Sequence, residues 1–571
     1  MATQKIRVNL AADTFPLLLD DQGRSLIVQS RGDAAAGQTS SPSQRNQSSI
    51  PIPIYLSNYI PTAIGFSSMS YNRDAIPKKL AERLNKEATI FEVFSQDGIK
   101  SHIVGNSDAI YVRDGNRKTW RRLLPNDRRI SPRDIVTTAT VQGITYICIR
   151  RIGVFIYDPI EIALTPVELD GLVSAELLGL VAVGSYLIAY DADTIYWSSV
   201  LDPLDFVPNL VTGAGSTKVS SVKSNIVSCL SIKNGMIIYT TSGAVSAQLT
   251  GDMQNPLIYV ELQGFPGVDN VYSLSLPKRN EDHYAVTKSG MYLISVAAAT
   301  PIYPEISEFL RGKAVQEYKH PEDKSKAGAI QTTYSDDVLD YRLRTLYNDY
   351  LLISYSVKAE PCHTHVLVYD IKLDRWGKLG IRHVDILDYV SLSEFFNIRC
   401  NQLPQECNSL RPPIVGNTSA NIPLAERECS SFKAFRENQT DNSALFGFLT
   451  EFAEFVTAHP ITKQAIDGKS VSYLSDDNIP VMILGDYSAR RDRHTFIDRI
   501  TVDQLKQDSK VILETYLRKD SIPTYLQFNN VDTNDTADYY QEVTGLIHRL
   551  HLIGQANLNT IVVSSTVEGE V

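Results

Sequence analysis

The chain has 571 residues, 43 % hydrophobic and 21 % charged, with 31 Gly, 26 Pro and 29 Tyr beside only 6 Met and 3 Trp. Its formal net charge of −10 argues against a protein whose main task is to grip nucleic acid through phosphates, which takes a basic surface. Six separated cysteines contain no C-x-x-C pair, which sets aside zinc-ribbon and thioredoxin-like centres.

Residues 1–106 read as an N-terminal extension. Met1 to Asn9 lacks the positive-then-apolar pattern of a secretory signal, and the product is expected in a reducing cytoplasm without disulfides. Arg31 to Ser49 is rich in Ser, Gln, Gly and Ala and too poor in apolar side chains to order itself. Its Arg31-Gly32-Asp33 tripeptide is therefore read as part of a loop rather than an adhesion signal. Pro51, Pro53 and Pro61 frame an extended segment, and Ala75 to Glu87 predicts one short helix.

From residue 107 to 456 a unit of apolar strand, tight turn and apolar strand recurs. It appears at Ala109 to Leu124, Ile144 to Asp158, Tyr186 to Trp197, Met236 to Leu249, Tyr284 to Ile294 and Leu351 to Trp376. Asp-Gly and Ser-Gly at the turns tolerate the positive φ a hairpin needs. Successive starts lie 35, 42, 50, 48 and 67 residues apart, close to the ~40–50 residues of a propeller blade. The fold class this predicts is all-β: a β-propeller with loop insertions near 304–347 and 380–442. Leu177 to Tyr190, the longest apolar stretch, is broken by Gly184-Ser185. It falls short of the ~20 residues of a membrane span and reads as two buried strands; no membrane span is expected. Residues 457–571 show strands at Phe496 to Val502, Val511 to Leu517, Leu546 to Ile553 and Thr560 to Ser565, a C-terminal β-sandwich-like section.

Candidate chemistry is sparse. In a regular strand His363 and His365 share one face and Cys362 lies on the other, short of the ligands zinc requires. Thr212-Gly213-Ala214-Gly215-Ser216 lacks the full phosphate-loop pattern. Asp191, Asp193, Asp202 and Asp205 stand in turn positions, where Asp bonds its own backbone, rather than as a glycosidase pair. No catalytic, cofactor or metal site is expected. The one local charge reversal is the run Arg113, Arg117, Lys118, Arg121, Arg122, Arg128, Arg129 and Arg133, with Trp120 among them. It is a candidate dock for an acidic partner or for DNA, with Arg113 and Arg117 expected at an exposed hairpin tip. The competing reading is a solvated face paired with Asp114, Asp127 and Asp134.

Thr194-Ile195-Tyr196-Trp197-Ser198-Ser199-Val200-Leu201-Asp202-Pro203-Leu204-Asp205-Phe206-Val207-Pro208, followed by Thr212-Gly213-Ala214-Gly215, resembles a segment of the nozzle and tail-hub proteins of short-tailed bacteriophages. There a blade strand ends in Tyr-Trp-Ser and leads into Asp-Pro-x-Asp-Phe. His365-Val366-Leu367-Val368-Tyr369-Asp370, then Asp374-Arg375-Trp376, is similar to the last-blade hairpin of that family. Ser289-Gly290-Met291-Tyr292 and Ile302-Tyr303-Pro304-Glu305-Ile306 extend the likeness. It covers roughly residues 140–380 and, more weakly, the C-terminal section; residues 1–65 and Cys400 to Cys429 have no counterpart. The resemblance implies a non-enzymatic virion protein of the tail, assembled in the host cytoplasm as a homohexameric ring. That ring would continue the DNA channel below the portal and adaptor, touch double-stranded DNA transiently, and carry fibres or spikes. An acidic lumen would let DNA slide. The alternative is a propeller-fold polysaccharide hydrolase or lyase.

Overall fold

The computed structural model describes residues 4–9, 53–63, 65–73, 83–94, 100–106, 109–114, 119–123, 136–150, 152–158, 163–219, 224–253, 255–275, 282–303, 305–310, 315–319, 329–333, 339–346, 349–357, 359–387, 445–460, 479–487, 494–503, 509–517, 524–529, 536–545, 547–554, 556–558 and 560–567. Among them, seven antiparallel blades follow one another, the last two joined through Tyr59–Thr62 into one ten-stranded sheet. Blade 1 spans 89–122, blade 2 136–167, blade 3 179–218 and blade 4 226–261, each with four strands in sequential order. Blade 5, 283–303, shows three strands. Blade 6 spans 340–383. Blade 7 is assembled from Asp385–Leu387, Phe446–Leu449 and Phe455–Pro460, with Gly65–Arg73 as its outer strand.

Each sheet buries its two faces against its two neighbours, so the apolar clusters lie between blades. Ile103, Ile110 and Val112 of blade 1 meet Ile147, Ile149 and Phe155 of blade 2. Leu180 and Leu187 of blade 3 meet Val141 and Cys148 of blade 2, and on their other side Ile188 and Trp197 meet Met236 and Val245 of blade 4. The series continues from blade 4 to 5 through Tyr239 and Tyr292, and from 6 to 7 through Val368 and Phe448. Leu84, Ile90 and Val104 then meet Leu449 and Phe455 of blade 7. With that contact the ring is closed, and the fold is a β-propeller. Closure removes the sheet edges that an open stack would expose.

Each blade's first strand lies innermost, where Gly179–Val183 contacts both Val136–Val141 and Ile226–Ile232. Trp197 and Trp376 are both strand residues between blades. Trp376 is fully buried, with its ring 5.4 Å from that of Tyr303 of blade 5.

Outside the ring, two sheets form the predicted sandwich. One orders Gln4–Asn9, Thr560–Val567, Thr495–Asp503 and Thr536–Gly545; the other orders Pro53–Ser57, Val481–Tyr487, Ile547–Ile553, Lys510–Tyr516 and Thr524–Asn529. Their inner faces share one apolar cluster, including Leu484, Ile500, Leu513 and Val563, that runs on into blades 5 and 6.

Two boundaries are corrected. Residues 1–106 are not an extension: Thr89–Phe94 and Lys100–Gly105 are the two inner strands of blade 1. Upstream of them, Gln4–Asn9 and Pro53–Ser57 each add an edge strand to a sandwich sheet, and Gly65–Arg73 completes blade 7. These partners sit at the opposite end of the chain, so no local period announces them. The helix expected at 75–87 falls outside the described residues up to 82, and 83–87 is non-helical, with a turn at 86–87. The insertion near 304–347 holds the helix Glu305–Leu310 and the hairpin Val315–Lys319 with Ala329–Thr333, although its last part opens blade 6. The segment Arg31 to Ser49 and the run Cys400 to Ser430 lie outside the described residues.

Candidate functional site

The basic run falls on the outer half of blade 1, where Ile110–Asp114 pairs with Thr119–Arg122 and Arg113 stands opposite Trp120. Cross-strand partners share a face, and this face meets blade 7. The Arg113 guanidinium lies 4.6 Å above the Phe455 ring, and Trp120 Nε1 donates to the Ala453 carbonyl at 2.9 Å. Arg113 is therefore buried rather than exposed at a hairpin tip, because its cation and alkyl stem seal the closing contact of the ring. Arg121, on the opposite face, is exposed, and Arg122 is half-buried. Arg117, Lys118, Arg128 and Arg129 lie outside the described residues.

The other sequence candidates resolve into structural duties. Asp191 Oδ1 accepts from the backbone N–H of Asp193 and Thr194, and its Oδ2 accepts from Tyr196 Oη at 2.8 Å. Asp193 pairs with Lys218 at 2.6 Å, an exposed contact that lowers the Asp193 pKa. Asp202 and Asp205 accept from the backbone of Leu204 and Val207. A register shift between His363 and His365 undoes their shared face: His363 rests against His383, while His365 stacks on Tyr355 at 5.4 Å. Cys362 packs between blades 7 and 1. Burial pushes the Cys148 thiol up to about 12, as suits a small core hydrophobe.

The stretch Tyr196 to Gly215 forms a braced protrusion on blade 3. Trp197 Nε1 donates to the Gly213 carbonyl at 2.8 Å, and its ring lies over Gly215, where a Cβ would come within 2.7 Å of the indole. Phe206 is buried between blades 2 and 3. Asn209 accepts from the Val211 N–H, and the Gly213 N–H donates to the Asn209 carbonyl. Yet Leu201, Leu210 and Val211 are 82 %, 78 % and 84 % exposed. Gly213 backs onto the carbonyl of Met253, itself half exposed, so the apolar tip adjoins blade 4. There Ile258 and Val260 of the outer strand Leu257–Glu261 are also exposed. They alternate with Leu257 and Tyr259, which face blade 3, and so point toward blade 5, the blade with three described strands. Sequence reading missed this surface, because apolar residues in a loop carry no periodic signal.

On the axis, the inner strands line an open cavity of about 200 Å³. Arg342 and Arg344 of blade 6 enter its wall together with Thr89, Thr138, Ser228 and Tyr272. Behind them the fully buried Asp385 accepts from Arg344 Nε at 3.0 Å and Nη2 at 2.5 Å, and from the Ile90 N–H at 2.8 Å. Burial alone would raise the pKa of Asp385, but Arg342 and Arg344 overcome it and hold the carboxyl at about 2. This cluster ties blades 6, 7 and 1 together, and its residues lie too far apart in sequence to be read as a group.

The architecture defines a β-propeller with an attached β-sandwich. No protein-family model matches the chain, and no curated protein matches it. Among solved structures it is similar to Hsv2p of Kluyveromyces lactis, a yeast β-propeller, at 10 % identity over 49 % of this chain and 74 % of that one, with a TM-score of 0.28.

Proposed function

We propose that this chain is a non-catalytic structural protein of a short-tailed bacteriophage virion, a subunit that joins copies of itself into a ring in the tail. The ring, with six members in the family that the sequence resembles, continues the DNA channel below the portal and adaptor and carries fibres or spikes. One observation carries the reading: the segment with the strongest resemblance is also a rigidly braced, solvent-facing apolar protrusion. Exposed apolar patches on otherwise well-covered proteins mark interaction surfaces. Bracing by Trp197, Phe206 and Asn209 lowers the ordering entropy of association. The uncovered Ile258 and Val260 offer a second strip, as a heterologous ring contact needs two different faces on each subunit. The net charge of −10 suits a lumen along which DNA slides.

The test is mass in solution. Light scattering on the purified chain should give a ring-sized species, and Leu210→Asp with Val211→Asp should reduce it to folded monomer. A wild-type chain that stays monomeric at high concentration, alone and with portal and adaptor proteins, sinks the proposal.

A further inference from the structure

The axial cavity carries more positive charge than its surroundings cancel. Arg344 spends Nε and Nη2 on Asp385 in a bidentate fork, the strong geometry for a guanidinium and a carboxylate. Arg342 donates Nη1 to the Ala88 carbonyl at 2.7 Å and Nη2 to Thr89 Oγ1 at 2.6 Å, and its guanidinium lies 4.6 Å above the Tyr272 ring. Its Nη1 is 3.3 Å from the same carboxylate of Asp385. Two guanidiniums thus share one carboxylate. The nearby Lys86 and Asp340 neutralise each other, and no Asp or Glu is among the described residues that line the cavity.

Both arginine side chains are about nine-tenths buried. Arginine does not shed its proton in proteins, so the surplus charge favours an anion in the cavity, because a poorly compensated, largely buried charge is costly. Donors are available on the wall. Nη1 of Arg344 has no acceptor among the described residues, and Thr89 Oγ1, taken as acceptor by Arg342, keeps its own O–H to give.

We infer that the axial cavity is a binding site for one small oxyanion group, phosphate or carboxylate, held by Arg344, Arg342 and the Thr89 hydroxyl. About 200 Å³ is ample for an inorganic phosphate or an acidic side-chain head. The site is independent of the ring-forming surface, so it stands or falls apart from the tail assignment.

The purified chain, exchanged into a buffer whose only anion is chloride, would be titrated by calorimetry with inorganic phosphate, and in a second arm with the dicarboxylate glutarate. Saturable binding of one anion per chain, competed by the other, is the expected result. Phosphate favoured over glutarate identifies a free-anion site, and the reverse identifies a seat for an acidic side chain; either supports the inference. Arg344→Gln should weaken binding by at least about tenfold, whereas Asp385→Asn, which lifts the competing carboxylate, should tighten it. If either variant fails to fold, native mass spectrometry of the wild-type chain before and after phosphate addition gives the stoichiometry directly. No saturable binding of either anion at millimolar concentration, or an Asp385→Asn variant that binds more weakly than a folded Arg344→Gln, overturns it.

Discussion

Asn58 shows how much of this structure hangs on single side chains. It is fully buried at φ 59°, in the left-handed region, at the junction of sandwich and propeller. Its Oδ1 accepts from Tyr71 Oη of blade 7 at 3.0 Å and from the Gly380 N–H of blade 6 at 2.9 Å. Its backbone N–H reaches the Lys378 carbonyl at 2.7 Å. Asn58→Ala loses the acceptor and strains the backbone, and should cost about 2–4 kcal/mol. Asn58→Gly loses the same bonds but tolerates the φ, so chemical denaturation should rank it as the milder change. Equal losses would mean that the conformation carries no strain. At Trp197, truncation to Ala empties the space between blades 3 and 4 and should cost ~3–5 kcal/mol. An unchanged unfolding midpoint would contradict the packing described for that strand.

At the scale of elements, the hairpin Tyr59–Thr62 with Gly65–Arg73 acts as a clasp. Its first strand pairs Tyr59 with Lys378 of blade 6, and its second lies along blade 7. Removing residues 1–73 would leave Phe455–Pro460 as an open edge and strip both sandwich sheets of an edge strand. Exposed edges invite pairing between chains, so the shortened protein should aggregate on refolding. Adding a peptide of residues 53–73 should reduce the light scattering; a soluble shortened chain with full thermal stability would refute the clasp.

What could be read in advance follows the same line. The sequence spacing picked out one hairpin in each of blades 1 to 6, because Asp191, Ser242-Gly243 and Ser289-Gly290 mark tight turns between apolar strands. Blade 7 stayed hidden, since its strands come from residues 65–73, 385–387 and 446–460 and share no local pattern. In the sandwich, Thr495–Asp503, Lys510–Tyr516 and Ile547–Ile553 were legible by their β-branched and aromatic runs. Thr536–Gly545, with the sequence Thr-Ala-Asp-Tyr-Tyr-Gln-Glu-Val-Thr-Gly, was masked by its polar content. In the basic run, burial of Arg113 depended on Phe455, whose proximity only the closed ring reveals.

For the whole molecule, three buried histidines distribute one pH response across the fold. His283 takes a hydrogen bond from Tyr239 Oη and gives one to the Ser231 carbonyl. His383 is held likewise by Ser354 and the Ile381 carbonyl, and His548 by Thr515 and the Thr495 carbonyl. In each ring one nitrogen faces a carbonyl and the other a hydroxyl, a full set of partners for neutral imidazole. Burial lowers all three to about 4, against the upward pull of the backbone carbonyls. The unfolded chain, titrating near 6.5, therefore takes up protons between pH 6.5 and 4 that the folded chain refuses. Stability is full above that window and falls as pH drops through it, by on the order of 3 kcal/mol per histidine at the lower end. Urea midpoints measured from pH 8 to 4.5 should decline below 6.5, and His383→Gln should flatten the decline; a level profile would contradict the neutral burial.

The clasp also sets a timetable for biosynthesis. Tyr59 Oη bonds the Gly554 carbonyl, 495 residues away, and the Ala556 N–H donates to Ser68 Oγ, 488 residues away. A ribosome adding ~5–20 residues per second releases these partners tens of seconds after the hairpin emerges. Blades 1 to 7 can close against one another once Pro460 has emerged, but the clasp is tied to the sandwich only when residues 554–556 follow. A chain stalled before residue 446 would therefore remain an open arc with Gly65–Arg73 unpaired, a substrate for chaperones and proteases rather than for assembly. Pairing residues 65–73 with residues 455–460 thus makes synthesis of blade 7 a condition for closure.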